Sequence, residues 1–313
     1  MQLSNKIEEL FKHQAANWPM AGENYDALQN VLVRTIRYTD HEIRLQFNPK
    51  RIISSSAKVD PKSISERPCF LCTANRPQLQ TGIPYLDKYL VLVNPYPIFS
   101  RHLTIPTLDH LPQRITGNLN EMLILARDLS DYTIIYNGPN CGASAPDHFH
   151  FQAIHRNLLP VEKEYKARLS ENSFLSHNTE IFFIKDYLRC IVTLRSADKS
   201  GIMVVFGTVF RLLGESLPDS DEPMMNILTW YDEGKWIIHI FPRKRHRPSQ
   251  YFETGEKQIL VSPASIDMGG VLIIPRETDY EKITKEDVSD ILDQVSVDNF
   301  FMSVLTDRLI KEL

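Results

Sequence analysis

The run Gly142-Ala143-Ser144-Ala145-Pro146-Asp147-His148-Phe149-His150-Phe151-Gln152 decides how this chain is read. Its second half alternates polar and apolar residues, the pattern of a strand with two different faces. Side chains two apart on a strand share a face, about 6.5–7 Å from one another. His148, His150 and Gln152 therefore project to one side, and Phe149, Phe151 and Ala153 to the other. The aromatic side can bury against a helix while the polar side lines a site. The loop before it, residues 137–146, holds Gly138, Gly142 and Ser144, and such a loop can turn successive backbone N–H groups toward a phosphate. That sets an anion beside an imidazole, the arrangement that nucleophilic attack on phosphorus needs. The bland alternative is a polar edge strand with solvated histidines; the adjoining loop and a nearby cysteine pair weigh against it.

Outward from this strand the chain alternates strands and helices. Residues 3–18 read as a polar helix, 31–36 and 43–47 as strands, and 54–66 as a polar linker. Strands are expected at 89–93, 102–106 and 132–136, with a helix at 119–129 between the last two. The second half repeats this order loosely: strands at 181–184 and 189–194, a buried helix at 201–213, and a hairpin of 227–231 with 236–241 across Asp232-Glu233-Gly234. Further strands are expected at 259–261 and 271–274, and a terminal helix over 286–313. The pattern predicts an α+β fold of two halves, 1–165 and 166–313, with the break in the polar stretch 160–178.

Cys69-Phe70-Leu71-Cys72 has a spacing that suits a metal better than a bridge, and four cysteines in 313 residues are few for a disulfide framework. Apolar residues make up 42% and charged ones 24%, with a net charge of -4 that argues against a general nucleic-acid binder. No apolar run is long enough to span a bilayer, and Met1 to Ala21 lacks the apolar stretch of a signal peptide. A cytoplasmic protein is expected. The densest positive cluster is Arg243-Lys244-Arg245-His246-Arg247, either a solvated basic loop or a site for a phosphate, whose oxygens match arginine forks.

The stretch from Gly142 to Gln152 resembles the active-site signature of the histidine-triad transferase branch. That branch includes galactose-1-phosphate uridylyltransferases, diadenosine tetraphosphate phosphorylases and GDP-hexose phosphorylases. The resemblance implies two tandem histidine-triad-like halves, each an antiparallel sheet packed with helices, the second degenerate. It implies that His150 is the nucleophile and that Gln152 hydrogen-bonds the phosphoryl oxygen of a covalent nucleotidyl-histidine. Hydrolases of the superfamily carry a third histidine at the Gln152 position, and an amide cannot protonate a leaving group as that histidine does. Transfer is therefore expected over hydrolysis.

Arg67-Pro68-Cys69-Phe70-Leu71-Cys72 resembles the zinc knuckle of uridylyltransferases, which implies structural zinc on Cys69, Cys72, His110 and His148; His102 is the competitor for the third ligand. Tyr89 to Pro97 looks like the strand and turn that wall base and ribose, which nominates Asn94 and Tyr96. Asn137 and Gly138 stand where the family's loop meets the phosphates, with Gly142 and Ser144 beyond them. Trp236 to Pro242 looks like the degenerate counterpart of the histidine strand; Ile237 precedes His239 by two, so no second metal is expected there. The resemblance also extends to Pro263–Pro275, a stretch typical of the phosphorylases.

The expected function is a nucleotidyltransferase or phosphorylase. It takes a nucleotide-sugar or dinucleoside polyphosphate, passes the nucleotide through His150, and delivers it to phosphate or a sugar 1-phosphate held by Arg243 and Lys244. No nucleic-acid or membrane partner is expected, and a homodimer is one assembly this allows. The rival readings are a catalytically silent nucleotide-binding protein and a dinucleotide hydrolase.

Overall fold

The computed structural model describes residues 3–57, 59–169, 173–216 and 222–313. Lys58 of the expected linker and residues 170–172 of the expected boundary stretch lie outside them. The strands are β1 (Leu32–Arg37), β2 (Glu42–Phe47), β3 (Gly82–Tyr85), β4 (Tyr89–Val93), β5 (His102–Pro106), β6 (Tyr132–Asn137) and β7 (His150–His155). They continue as β8 (Ser173–Ser176), β9 (Thr179–Ile184), β10 (Ile191–Ser196), β11 (Met225–Asp232), β12 (Lys235–Pro242) and β13 (Val271–Ile274). The longer helices are α1 (Leu3–Asn17), α2 (Leu119–Asp128), α3 (Lys199–Ser216), α4 (Lys285–Val295) and α5 (Asn299–Glu312).

Ten strands form one antiparallel sheet in the order β3-β4-β5-β7-β6-β11-β12-β10-β9-β8. The order describes two halves back to back: in each, three strands lead into a helix, α2 or α3, and then into a final antiparallel pair. The fold is α+β with two tandem halves, as the sequence predicts. The half-sheets meet through β6 and β11, where Asn226 pairs with Asn137 and Leu228 with Ile135, so neither half leaves that edge open.

The alternation of the histidine strand decides what each face meets. Phe149, Phe151 and Ala153 bury in the core built with α1, α2, α3 and α5. Ile154, on the His150 face, joins the other core, which includes Leu45 of β2, Leu272 of β13 and α4. β13 pairs parallel with β2, Leu272 opposite Leu45, and this small sheet brings residues 44–51 and 262–274 to the His150 side.

Several expectations change. The 54–66 linker contains the helical turn Ile52–Ser55 and the helix Pro61–Glu66, which Asp60 caps by accepting the Ser63 N–H. Residues 259–261 are not a strand. The expected terminal helix is two helices, because Ser296 bridges to Arg243 and Asp298 restarts the helix by accepting the Phe301 N–H. The strand at His148 begins two residues later, at His150. Short strands β3 and β8 were not expected.

Candidate active site and metal centre

The turn before β7 brings four nominated side chains together. The ligand atoms of Cys69, Cys72, His110 and His148 all lie within 4.8 Å of one another. Cys69 Sγ is 3.3 Å from His148 Nδ1, Cys72 Sγ 3.2 Å from His110 Nδ1 and 3.5 Å from His148 Nδ1. A tetrahedron with zinc–ligand bonds of about 2.0–2.3 Å has edges of about 3.3–3.8 Å, so the donor set and its spacing fit a tetrahedral ion. The outer nitrogens are engaged as well. His148 Nε2 donates to the Thr107 carbonyl at 2.9 Å, which leaves Nδ1 as a lone pair toward the sulfurs. His110 Nε2 lies 3.8 Å from the Asp147 carboxylate, which also pairs with Arg67 at 2.8 Å. These residues could hold a metal ion. His102 is elsewhere.

His150 opens β7. Its Nδ1 donates to the His148 carbonyl at 2.9 Å, so Nε2 carries the lone pair, and among the described residues Nε2 makes no hydrogen bond. Gln113, itself buried, clamps the backbone on both sides: Oε1 accepts the His150 N–H at 2.8 Å, and Nε2 donates to the His150 and Asn137 carbonyls. The ring is 3% exposed, and burial pushes its pKa down to about 4.

Two residues on, Gln152 is fixed by His102. His102 is fully buried; its Nδ1 accepts the Ile98 N–H, and its Nε2 donates to Gln152 Oε1 at 2.8 Å. Burial, then the nearby Arg51 charge, lowers the His102 pKa to about 3, so it is a neutral donor of fixed tautomer. With Oε1 taken, the amide N–H2 of Gln152 is the end left for a ligand.

Gln152 lines a pocket with Asn137, Gly142, Ala143 and Ser144 from the loop before β7. Asn137 Oδ1 accepts from Asn226 and from the Ser265 N–H and hydroxyl, which leaves its N–H2 free in the same sense. Gly142 has φ +94°, and a Cβ there would stand 2.5 Å from Ala264 Cβ, so glycine is required. The far wall comes from the turns after β2, the basic loop and the segment before β13: Arg51, Ser54, Ser55, His246, Arg247, Ser262 and Asp267. Arg247 is held by Ser262 and the Ala57 carbonyl and stacks on Tyr251 at 4.1 Å. Asp267, accepting the Ala264 and Ile273 N–H groups, is pushed up to about 6 by burial. His150 borders this pocket along the strand but is not among its lining residues.

Other nominated residues sit differently. Asn94 is buried with its amide donated to Thr104 and its oxygen accepting the Tyr96 N–H, and neither Asn94 nor Tyr96 lines the pocket. Gly138 spends its N–H on the Met225 carbonyl. Arg243 is fully buried and donates to Val295, Asn226, Pro263, Arg245 and His246, so its guanidinium has nothing left for a phosphate. Lys244 is exposed and outside the pocket. The basic loop does reach the pocket, but through His246 and Arg247. Arg51 and Asp267 went unnoticed in sequence because neither stands in a recognisable motif and the place of each depends on the β2–β13 pairing.

Two family models match the chain: one described as a domain of unknown function (DUF4922) over residues 10–155, and one described as "GDPGP1-like, C-terminal domain" over residues 160–308. No curated protein matches it in sequence. Among solved structures, yeast Ap4A phosphorylase Apa2 in complex with AMP is similar with a TM-score of 0.58 at 17% identity, covering 90% of this chain and 96% of that one. The same yeast protein in a second structure gives 0.53 at 16% identity, with 90% and 97% covered. No helix of the described residues is long and apolar enough to cross a membrane. The first half of the chain thus matches the DUF4922 domain and the second half the GDPGP1-like C-terminal domain, and the two-half fold is similar to that of the yeast Ap4A phosphorylase.

Proposed function

We propose that the protein is a nucleotidyltransferase of the phosphorylase type, acting on a nucleoside diphosphate-sugar or dinucleoside polyphosphate through a covalent nucleotidyl-histidine. The observation that carries this reading is the pairing of two fixed side chains on β7: His150 with Nε2 unpartnered, and Gln152 with its N–H2 turned free by His102. In the first step His150 Nε2 attacks the α-phosphorus, a P–N bond forms, and the P–O bond to the leaving group breaks, releasing a sugar 1-phosphate from a nucleoside diphosphate-sugar or a nucleoside polyphosphate from a dinucleoside polyphosphate. Gln152 and Asn137 donate to the oxygens whose charge grows. In the second step an oxygen of inorganic phosphate or a sugar 1-phosphate attacks the same phosphorus and the P–N bond breaks, restoring His150. Gln152 cannot deliver a proton to assist water, so the intermediate waits for that acceptor.

Arg247 and Arg51 are the cations placed to receive the acceptor's charge, in place of Arg243 and Lys244. Zinc on Cys69, Cys72, His110 and His148 would supply a structural cross-link that fixes the backbone at His148, whose carbonyl sets the His150 tautomer. The similarity of fold to Ap4A phosphorylase and the GDPGP1-like C-terminal match support nucleotide chemistry of this class.

The test is a label trap. The protein is incubated with α-32P-labelled GDP-sugar, ADP-sugar, UDP-sugar or diadenosine tetraphosphate without acceptor, then denatured. Acid-labile label on the wild type and none on His150→Ala is the expected result, with release on adding phosphate. Binding of donor with no trapped label and no exchange would replace the reading by that of a silent nucleotide binder.

A further inference from the structure

Arg189 lies between β9 and β10 and is 1% exposed. Among the described residues none of its three guanidinium nitrogens has a hydrogen-bond partner. A guanidinium cannot shed its proton to escape burial, and an unpaired buried charge is strongly destabilising. It contacts the Tyr187 ring, 4.1 Å from the guanidinium carbon, and that cation–π attraction leaves all of its N–H groups without an acceptor. Native interiors pair such groups with protein, water or an ion.

The acids nearby are already engaged. Glu164 accepts from the Tyr187 hydroxyl and the Glu42 N–H; Asp40 pairs with Arg168 and His41; Asp186 accepts from Asn299. In the β1–β2 turn His41, whose side chain is 5% exposed, stacks on Tyr38 and lies 4.7 Å from the same Tyr187 ring that the Arg189 guanidinium covers. His41 Nδ1 donates to Asp40 at 2.9 Å, so Nε2 bears a lone pair, and that atom too is buried without a partner. The vicinity thus offers up to five N–H donors from Arg189 and one acceptor from His41.

The geometry points to an internal anion site between the β1–β2 turn and the β9–β10 connection, in which Arg189 and His41 hold a protonated tetrahedral oxyanion of the hydrogen-phosphate class. The donor and acceptor count selects this class: oxygens of the anion accept from the guanidinium, and its P–OH donates to His41 Nε2. Sulfate, which carries no proton at neutral pH, satisfies Arg189 but not His41. The place is the second half's counterpart of the β4–β5 connection, which in the first half contributes Ile98 to the pocket. It is separate from the Gln152 pocket and shares no lining residue with it.

The test uses the full chain in two arms. Crystals grown with arsenate, which protonates like phosphate and scatters anomalously, are expected to show an arsenic peak within hydrogen-bonding distance of Arg189 and His41 Nε2. In a phosphate-free buffer, phosphate is expected to raise the wild-type melting temperature by several degrees more than it raises that of Arg189→Met, and more than equal sulfate does. The Arg189→Met response isolates any contribution from phosphate in the Gln152 pocket. Only water at Arg189, or its guanidinium turned onto a carboxylate, would overturn the proposal. So would an equal phosphate response in wild type and Arg189→Met, or sulfate matching phosphate. If Arg189→Met does not fold, the arsenic peak decides alone.

Discussion

The two halves of the sheet place different chemistry at the same register. In the first half Thr104, third residue of β5, pairs with Gln152; in the second Thr193, third residue of β10, pairs with His239. Two residues earlier on the inner strands, His150 corresponds to Ile237, and the first residue of β5, His102, corresponds to Ile191 of β10. The connections differ as well. β6 and β7 are joined by the loop 138–149, whereas β11 and β12 are joined by the two-residue turn Glu233-Gly234, with φ of 49° and 79°. Without a loop there is no backbone to cradle a phosphate, and the space around His239 is filled by Tyr165, Trp230 and Phe241. One half keeps polar atoms facing a pocket; the other turns the equivalent face into core.

If the difference is chemical and not only geometric, His150→Ala gives the largest effect. Loss of a nucleophile costs about 10^4-fold or more in kcat, measured as nucleotide exchange with the preferred donor, while donor binding by equilibrium dialysis changes little. His239→Ala should leave kcat within about twofold. Equal losses in the two variants would break the comparison.

Next in size is the amide. Gln152→Ala removes one donor to the developing charge, a change worth about 10^2-fold in kcat, with KM nearly unchanged. His102→Phe keeps the ring volume but frees Gln152 Oε1, and about a tenfold loss in kcat in the same direction is expected, since removal of one positioning hydrogen bond is worth about 1–1.5 kcal/mol. If His102→Phe is silent, Gln152 is not being held by it.

These residues also mark what the sequence could and could not reveal. The division of His148, His150 and Gln152 from Phe149 and Phe151 follows from strand periodicity, and the core assignments agree with it. The spacing of Cys69 and Cys72 suggests a metal by itself, whereas His110 and His148, 38 and 76 residues beyond Cys72, could be nominated only through the family resemblance. Arg51 could not. It follows β2 in a short turn, and its place in the pocket depends on β13 pairing with β2 across more than 200 residues. Arg243 misled for the converse reason: charge density in sequence does not distinguish a guanidinium facing solvent from one that holds five acceptors in the interior. β3 and β8 escaped because each is four residues at an outer edge, and Pro84 interrupts the first. Residues 259–261 carry strand-like composition, but Ile259 donates to Gln250 rather than to a neighbouring strand.

Among the described residues the cluster that could hold a metal ion, Cys69, Cys72, His110 and His148, lies in the first half, and removal of a metal bound there should act on stability before chemistry. Cys69→Ser is expected to lower bound zinc from near one equivalent per chain to a small fraction, by elemental analysis of the purified protein. The melting temperature should fall by several degrees, since metal binding free energy is folding free energy. A strong chelator should move the wild type toward the same value and leave Cys69→Ser unmoved. No zinc in the wild type, with no recovery on adding it, would remove the centre from the account.

The smallest effect is expected where the second half has turned its site into core. His239 Nδ1 bonds only Thr193, at 2.8 Å, and Nε2 is buried without a partner among the described residues. Replacing both members by apolar residues of similar shape, Thr193→Val with His239→Leu, removes the bond and the orphaned nitrogen together, and such paired replacements are close to neutral. Stability at pH 7.5 should change by less than about 1 kcal/mol, read by urea unfolding. The sign reverses in acid. Burial holds the folded His239 pKa down to about 3, while the unfolded value is about 6.5. Between those values the unfolded chain binds a proton that the folded chain does not, so this group lowers stability as pH falls below about 6.5. The double variant lacks that term and should gain on the wild type at pH 5. A variant that loses stability equally at both pH values would mean that His239 is held by more than Thr193, and that the second half has kept a polar site where the packing shows core.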